Sequence, residues 1–141
     1  MRGVIFMGLN WDNNLSTGIN SIDNQHKELF DRINQLLLAM KEGKAKNEII
    51  KTLDFLEEYV IKHFTEEEMI QKKNNYPKYN IQHEQHEQFK NGLKKMRETF
   101  NSKGTSALLV LNVQKEMSTW WKNHITGLDM DLGEFLILKS K

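Results

Sequence analysis

Residues 49–70 read Ile49-Ile50-Lys51-Thr52-Leu53-Asp54-Phe55-Leu56-Glu57-Glu58-Tyr59-Val60-Ile61-Lys62-His63-Phe64-Thr65-Glu66-Glu67-Glu68-Met69-Ile70. Within them Ile49, Leu53, Leu56, Val60, His63, Glu67 and Ile70 recur at steps of three and four, the spacing that turns one face of an α-helix towards a common core. The apolar members are ordinary, but His63 and Glu67 are not. Imidazole and carboxylate are costly in a core unless something satisfies them. The same rhythm runs through Ile22-His26-Leu29-Ile33-Leu36-Met40 before this stretch. It returns in Tyr79-Gln82-His86-Phe89-Leu93-Met96-Phe100 and Val110-Val113-Met117-Trp121-His124 after it. Four of the five histidines therefore fall on core-facing stripes, and a metal would satisfy them all at once.

Breaks between the stripes set the topology. The first helix starts near Ser21 and stops at Gly43, a residue suited to the left-handed conformation just past a helix end. The second runs from Asn47, whose side-chain oxygen suits a cap, to about Lys73. Asn74-Asn75-Tyr76-Pro77 breaks the pattern, and Pro77, the only proline, suits the first turn of the third helix, which ends near Gly104. Thr105 or Ser106 can cap the fourth, which reaches about Gly127. Four such helices with short connections and no alternating strand pattern predict an all-α, up-down-up-down antiparallel four-helix bundle over residues 21–127. An extended N-terminal arm (1–20), pinned by Trp11, and a short C-terminal tail (128–141) complete a single domain, with Phe135 to Leu138 packing on the bundle. The polar positions are early in the first and third helices and late in the second and fourth. Alternating directions bring them to one end.

Composition narrows the function. Lys and Arg number 20 against 19 Asp and Glu, giving a net charge of +1 with no clustering, so nothing resembles a nucleic-acid footprint. No apolar run approaches the roughly 20 residues of a membrane span, and Val4-Ile5-Phe6-Met7 is too short for a signal-peptide core. The expectation is a soluble, cytoplasmic chain with no attached signalling domain. Without cysteine there are no disulfides or thiolate ligands, so any metal is held by nitrogen and oxygen.

His63 and Glu67 are one turn apart and can hold one metal or two adjacent ones. Of the three consecutive glutamates only Glu67 keeps phase with the stripe, which leaves Glu66 and Glu68 for solvent. Asp129 follows His124 by five residues, beyond Gly127, where the helix can open and turn a carboxylate inward. Taken alone, an aspartate such as Asp129 is more often a cap or a surface charge, and its neighbour Asp131 competes with it. Nitrogen and carboxylate donors without sulfur suit iron, manganese or zinc, iron best. Trp120, Trp121, Phe64 and Ile22 sit where they can close a water-excluding pocket, although tryptophan in a bundle core is also ordinary packing.

Trp11, Thr17-Gly18-Ile19, Ile22-Asp23-Asn24-Gln25-His26-Lys27, His63-Phe64-Thr65-Glu66-Glu67, Tyr76-Pro77, His86-Glu87-Gln88-Phe89 and Trp121-Lys122-Asn123-His124-Ile125 to Asp129 together resemble the bacterial hemerythrins over about residues 11–138. The resemblance implies two non-haem iron ions, Fe2+ or Fe3+ with an oxo or hydroxo bridge, that bind O2 reversibly. It implies that His26 and His63 ligate the iron with an open position, that Glu67 and Asp129 bridge, and that His86 and His124 ligate the other iron. Storage, delivery or sensing of O2 would follow. The alternative is a di-iron enzyme acting on peroxide, nitric oxide or ferrous iron, and a third reading is an interaction module or zinc-filled bundle.

One position departs from the family pattern, which has two histidines four apart on the third helix. Four before His86 stands Gln82, and the remaining histidine is His83. Either Gln82 replaces a ligand, or His83 reaches the metal through a local change in helix geometry. Gln82 continues the Phe89-Leu93-Met96 stripe, whereas His83 lies roughly 100° further round, which favours Gln82 facing inward. If Gln82 is a weak or absent ligand, reversible O2 carriage is less secure. Gln82→His is then expected to slow autoxidation of the O2-bound protein, and equal autoxidation rates in the two proteins would count against the idea.

Overall fold

A computed structural model describes residues 9–140; the expectations for residues 1–8, the Val4 to Met7 run among them, lie outside that range. Four long helices follow one another: α1 (Asn20–Lys41), α2 (Lys46–Lys73), α3 (Tyr79–Lys103) and α4 (Ala107–His124). No strand occurs among the described residues. α1 packs against α2 and α4, and α3 against the same two, the ring order of an up-down-up-down bundle. Leu29, Ile33 and Leu36 of α1 meet Leu53, Leu56 and Val60 of α2 in one apolar cluster, joined by Phe89 and Leu93 of α3 and Met117 of α4. Each such aliphatic side chain contributes about 1.5–3 kcal/mol by leaving water. No described helix is long and apolar enough to cross a membrane.

The helix ends obey local chemistry. After α1, Gly43 takes φ 67° and the Lys44 N–H donates back to the Ala39 carbonyl (3.0 Å), closing the last turn. After α2, Asn75 takes φ 56° and the Tyr76 N–H donates to the Gln71 carbonyl (2.9 Å) in the same motif. Ser106 caps α4 by accepting from the Leu109 N–H (3.0 Å). Two sequence expectations shift. Asn47 lies inside α2, which begins at Lys46 after Ala45 and has no side-chain cap, Glu48 complementing its first turn. Pro77 precedes α3, because a turn closed by Tyr79 N–H to the Tyr76 carbonyl (3.3 Å) intervenes.

The larger difference is at Gly127, which does not end a helix. α4 passes into a π-helical turn, Ile125–Asp129, and straight on into a fifth helix, α5 (Met130–Lys139), where a short non-helical tail packed on the bundle was expected. The widened turn shifts the inward face by one residue, so the stripe Val113-Met117-Trp121-His124 continues as Asp129 and Leu132. Leu132, Phe135 and Leu136 pack on Ile19, Ile22 and Tyr76, closing the end of the bundle that carries the polar side chains. Tyr76 Oη donates to Asp131 Oδ2 (2.6 Å), and Lys78 Nζ pairs with Asp131 Oδ1 (3.1 Å), tying α5 to the α2–α3 connection. Of the expected tail run, Phe135 and Leu136 pack while Leu138 faces solvent.

The described part of the arm is anchored to the bundle. Trp11 packs 6.1 Å from the Phe30 ring, and the Asn34 side chain exchanges two hydrogen bonds of 2.7 Å with the Leu9 backbone. Asp12 caps a short 3-10 turn, Asn13–Leu15, and Asp23 then gathers Ser16 Oγ (2.6 Å), Thr17 N (2.8 Å) and Thr17 Oγ1 (2.8 Å). This places Thr17 directly against α5. A Cβ on Gly133 would lie 2.2 Å from the Thr17 carbonyl oxygen, a backbone atom that cannot swing aside. Gly133→Ala should therefore cost about 1–3 kcal/mol by overpacking. Gly127→Ala, with nothing within 4 Å of its Cβ, should leave the thermal midpoint within a degree or two of native, a pair readable from two melting curves.

Candidate metal centre

His26, His63, Glu67, His86, His124 and Asp129 converge at one end of the bundle, none more than 2% exposed. α1 brings His26, α2 brings His63 and Glu67, α3 brings His86, and α4 ends on His124. Asp129 needs the π turn: five residues past His124 on a regular helix it would point roughly 140° away. Asp131, its sequence competitor, is instead held by Tyr76 and Lys78.

Ligand-capable atoms fall into two groups, one from His26, His63 and Glu67 and one from Glu67, His86 and His124, each within 4.8 Å. Glu67 spans both, with Oε2 3.5 Å from His63 Nε2 and Oε1 3.2 Å from His86 Nε2. Asp129 spans them too, with Oδ2 3.0 Å from His26 Nε2 and Oδ1 3.2 Å from His124 Nε2. These approaches do not have hydrogen-bond geometry. All four Nε2 atoms, both Glu67 oxygens and Asp129 Oδ2 are buried without a hydrogen-bond partner.

Three of the four opposite ring nitrogens are satisfied. His63 Nδ1 meets Gln25 Oε1 (2.6 Å), His86 Nδ1 meets Glu68 Oε2 (2.7 Å), and His124 Nδ1 meets Gln85 Oε1 (2.8 Å). With the proton on Nδ1, Nε2 carries a lone pair aimed inward, the arrangement in which histidine binds a metal. His26 lacks such a partner and is positioned by the rings of His63 (5.1 Å) and Trp121 (6.1 Å). Buried polar atoms left unpaired cost about 1–3 kcal/mol each, so this set fits a bound cation far better than an empty core.

The electrostatics agree. Burial, with His26 nearby, holds His63 well below the usual imidazole range, and burial lowers His86 despite its bond to Glu68. Both are therefore neutral, the form that ligates. Burial and then the Asp129 charge push Glu67 well above the usual carboxyl range. Burial opposes ionisation of Asp129 as well, but His124 and His26 outweigh it and hold that carboxyl well below its ordinary value. A cation between the carboxylates would stabilise both as anions.

Aromatic rings wall the centre from the rest of the core. Phe64 stacks on His86 (centroids 3.9 Å, 8° between planes), and Trp120 stacks on His124 (4.5 Å, 15°). Trp121, fully buried, lies against both His26 and His63, whereas Ile22 belongs to the cap under α5. Gln82 is fully buried and His83 is largely exposed, bonding to Glu68 Oε1 (2.8 Å). Glu68 is thus not a solvated bystander: its two oxygens serve His83 and His86. The sequence reading missed Gln25, Glu68 and Gln85 because each lies beside a stripe rather than on it. Gln71, fully buried, was legible four residues past Glu67, but Ile70 one position earlier drew the stripe away.

A family model described as the hemerythrin HHE cation binding domain matches residues 17–136. The chain belongs to the hemerythrin family. Bacteriohemerythrin of Pseudomonas paraeruginosa is 31% identical over 127 residues, covering 84% of this chain and 75% of that one. Bacteriohemerythrin of Methylococcus capsulatus is 28% identical over 120 residues, covering 85% and 89%. A crystal structure of wild-type hemerythrin superposes with a TM-score of 0.80 at 26% identity, covering 91% of this chain and 97% of that one.

In a hemerythrin-family bundle built this way, cation binding and stability are coupled. Adding Fe2+ anaerobically at about 1,000 times its dissociation constant should stabilise the native chain by about 4 kcal/mol. His63→Leu removes an unsatisfied buried nitrogen, so the metal-free variant should melt close to native while losing most of the metal-induced rise. An equal rise in both proteins would remove His63 from the centre.

Proposed function

We propose that this chain binds O2 reversibly at a non-haem di-iron centre, for storage, delivery or sensing in the cytoplasm. One observation carries the reading: Glu67 and Asp129 each direct one oxygen towards the His26 and His63 half and the other towards the His86 and His124 half. Two carboxylates that straddle two imidazole pairs suit two adjacent ions better than one. His26 and His63 would hold one ion, His86 and His124 the other, with Glu67 and Asp129 bridging. When bound, the pair of irons supplies the electrons that hold O2 reversibly, which no side chain here can do.

The side chains supply the rest. Gln25, Glu68 and Gln85 fix the ring orientations of His63, His86 and His124, so the donors stay aimed inward. Phe64 and Trp121 keep water from the inner face of the centre. A dry wall slows proton entry and separation of charge, which favours release of O2 over its reduction. Tyr76, Ile22 and Leu132 close the end of the bundle.

A second reading, a di-iron enzyme acting on peroxide, nitric oxide or ferrous iron, is favoured by the amide of Gln82 beside Asp129. A broad groove between α3 and α4, lined by Gln85, Trp120, Asn123 and His124, also reaches one imidazole from solvent. Anaerobic reconstitution with Fe2+ followed by O2 titration separates the readings. Carriage predicts two irons per chain and a visible absorption band that appears with O2 and disappears under argon over repeated cycles. Turnover of peroxide or nitric oxide with a reductant, without a stable band, would support the enzyme. Protein from iron-replete cells that holds zinc or no metal would overturn both.

A further inference from the structure

The two halves of the centre are not equivalent. Beside Glu67, His86 and His124 stands Gln82, fully buried, one turn before His86 on the inward face of α3. Its Nε2 donates to Asp129 Oδ1 at 3.1 Å, the same oxygen that lies 3.2 Å from His124 Nε2. A carboxylate oxygen accepts and does not donate, so the nitrogen of the amide must face Asp129. That fixes the flip of the carboxamide. Gln82 Oε1 is left buried with no partner.

His86 meets Glu67 across the antiparallel α2 and α3, so one turn further along α2 and one turn earlier on α3 the register brings Gln71 level with Gln82. Gln71 is also fully buried, and neither its Nε2 nor its Oε1 has a partner. Two core amides with three unpaired atoms, one turn from Glu67 and His86, are a heavy cost for packing alone. An amide oxygen is a hard neutral donor suited to iron, whereas an amide nitrogen has no lone pair to give. The remaining histidine of α3 does not compete, because His83 is largely exposed and held by Glu68.

We propose that Gln82 Oε1 is a metal donor in the half of the centre formed by Glu67, His86 and His124, with Asp129 orienting it and Gln71 keeping its surroundings polar. The inference rests on the di-iron reading above and makes the two ions chemically distinct: both halves have two imidazoles and share two carboxylates, but only one gains a neutral oxygen. Gln82 is a ligand by this assignment, and Gln71 a positioning residue.

The test uses the full chain loaded anaerobically with 57Fe, read by Mössbauer spectroscopy and by competition for Fe2+ with a chelator. The native protein should show two unequal iron environments. Gln82→Leu should weaken one of the two ions on the order of 10-fold to 100-fold and change one spectral component while leaving the other in place. Gln82→His should restore the affinity and alter the same component, which a purely structural role for the amide would not do. If Gln82→Leu, with a metal-free melting curve like the native one, binds both ions as tightly and gives an unchanged spectrum, the assignment is overturned. Should Gln82→Leu not fold, an unchanged spectrum in Gln82→His has the same meaning. A native chain that takes up no iron, or whose uptake ignores His63→Leu, overturns the di-iron reading itself. Two irons with normal O2 response and an indifferent Gln82 remove only this ligand.

Discussion

Six ionisable side chains at one depth of a narrow bundle are the constraint from which the rest follows. Seven of their polar atoms face each other without hydrogen bonds, and at about 1–3 kcal/mol apiece that end of the molecule works against folding. The opposite end offsets it. Leu29, Ile33, Leu36, Leu53, Leu56 and Val60 are all but fully buried, and their removal from water holds the helices in register. The chain therefore divides along its long axis into an apolar half that provides stability and a polar half that consumes it.

That division explains why the polar end is so heavily covered. Arm, α5 and the α2–α3 connection all meet over it, through Thr17 against Gly133, Tyr76 and Lys78 on Asp131, and the Ile22, Tyr76 and Leu132 cluster. Unpaired charge is costly in proportion to how little water reaches it, and cation binding gains strength by the same rule. The cover raises both effects together. A groove between α3 and α4 runs up to this cover, and there Trp120 stacks on His124 at its wall.

Much of this was legible in residue order because helical phase is a strong signal. The stripes located four helices and put His26, His63, Glu67, His86 and His124 on inward faces, and the structure buries all five. Gly43, Gly104 and Ser106 marked ends through the conformations and caps they favour. What phase could not show was whatever departs from it. Gln25, Glu68 and Gln85 act from positions beside a stripe, reaching a ring on another helix, and no spacing within one helix reveals that. Gly127 read as a stop because glycine usually is one, yet here the helix widens and continues through it. Asn47 and Pro77 missed by one or two residues, since turn geometry outside the helix decided where each began.

The π turn at Ile125–Asp129 has the bookkeeping of an insertion: one residue more than a regular helix would need between His124 and the next inward side chain. Asp129 and the Leu132 and Leu136 face lie downstream of that surplus residue, so both owe their orientation to it. A one-residue deletion there would leave a smoother, intrinsically better helix, rotated by about 100° from that point on. Carboxylate and lid would swing away together, so the length of this segment, more than its composition, sets where both of them point.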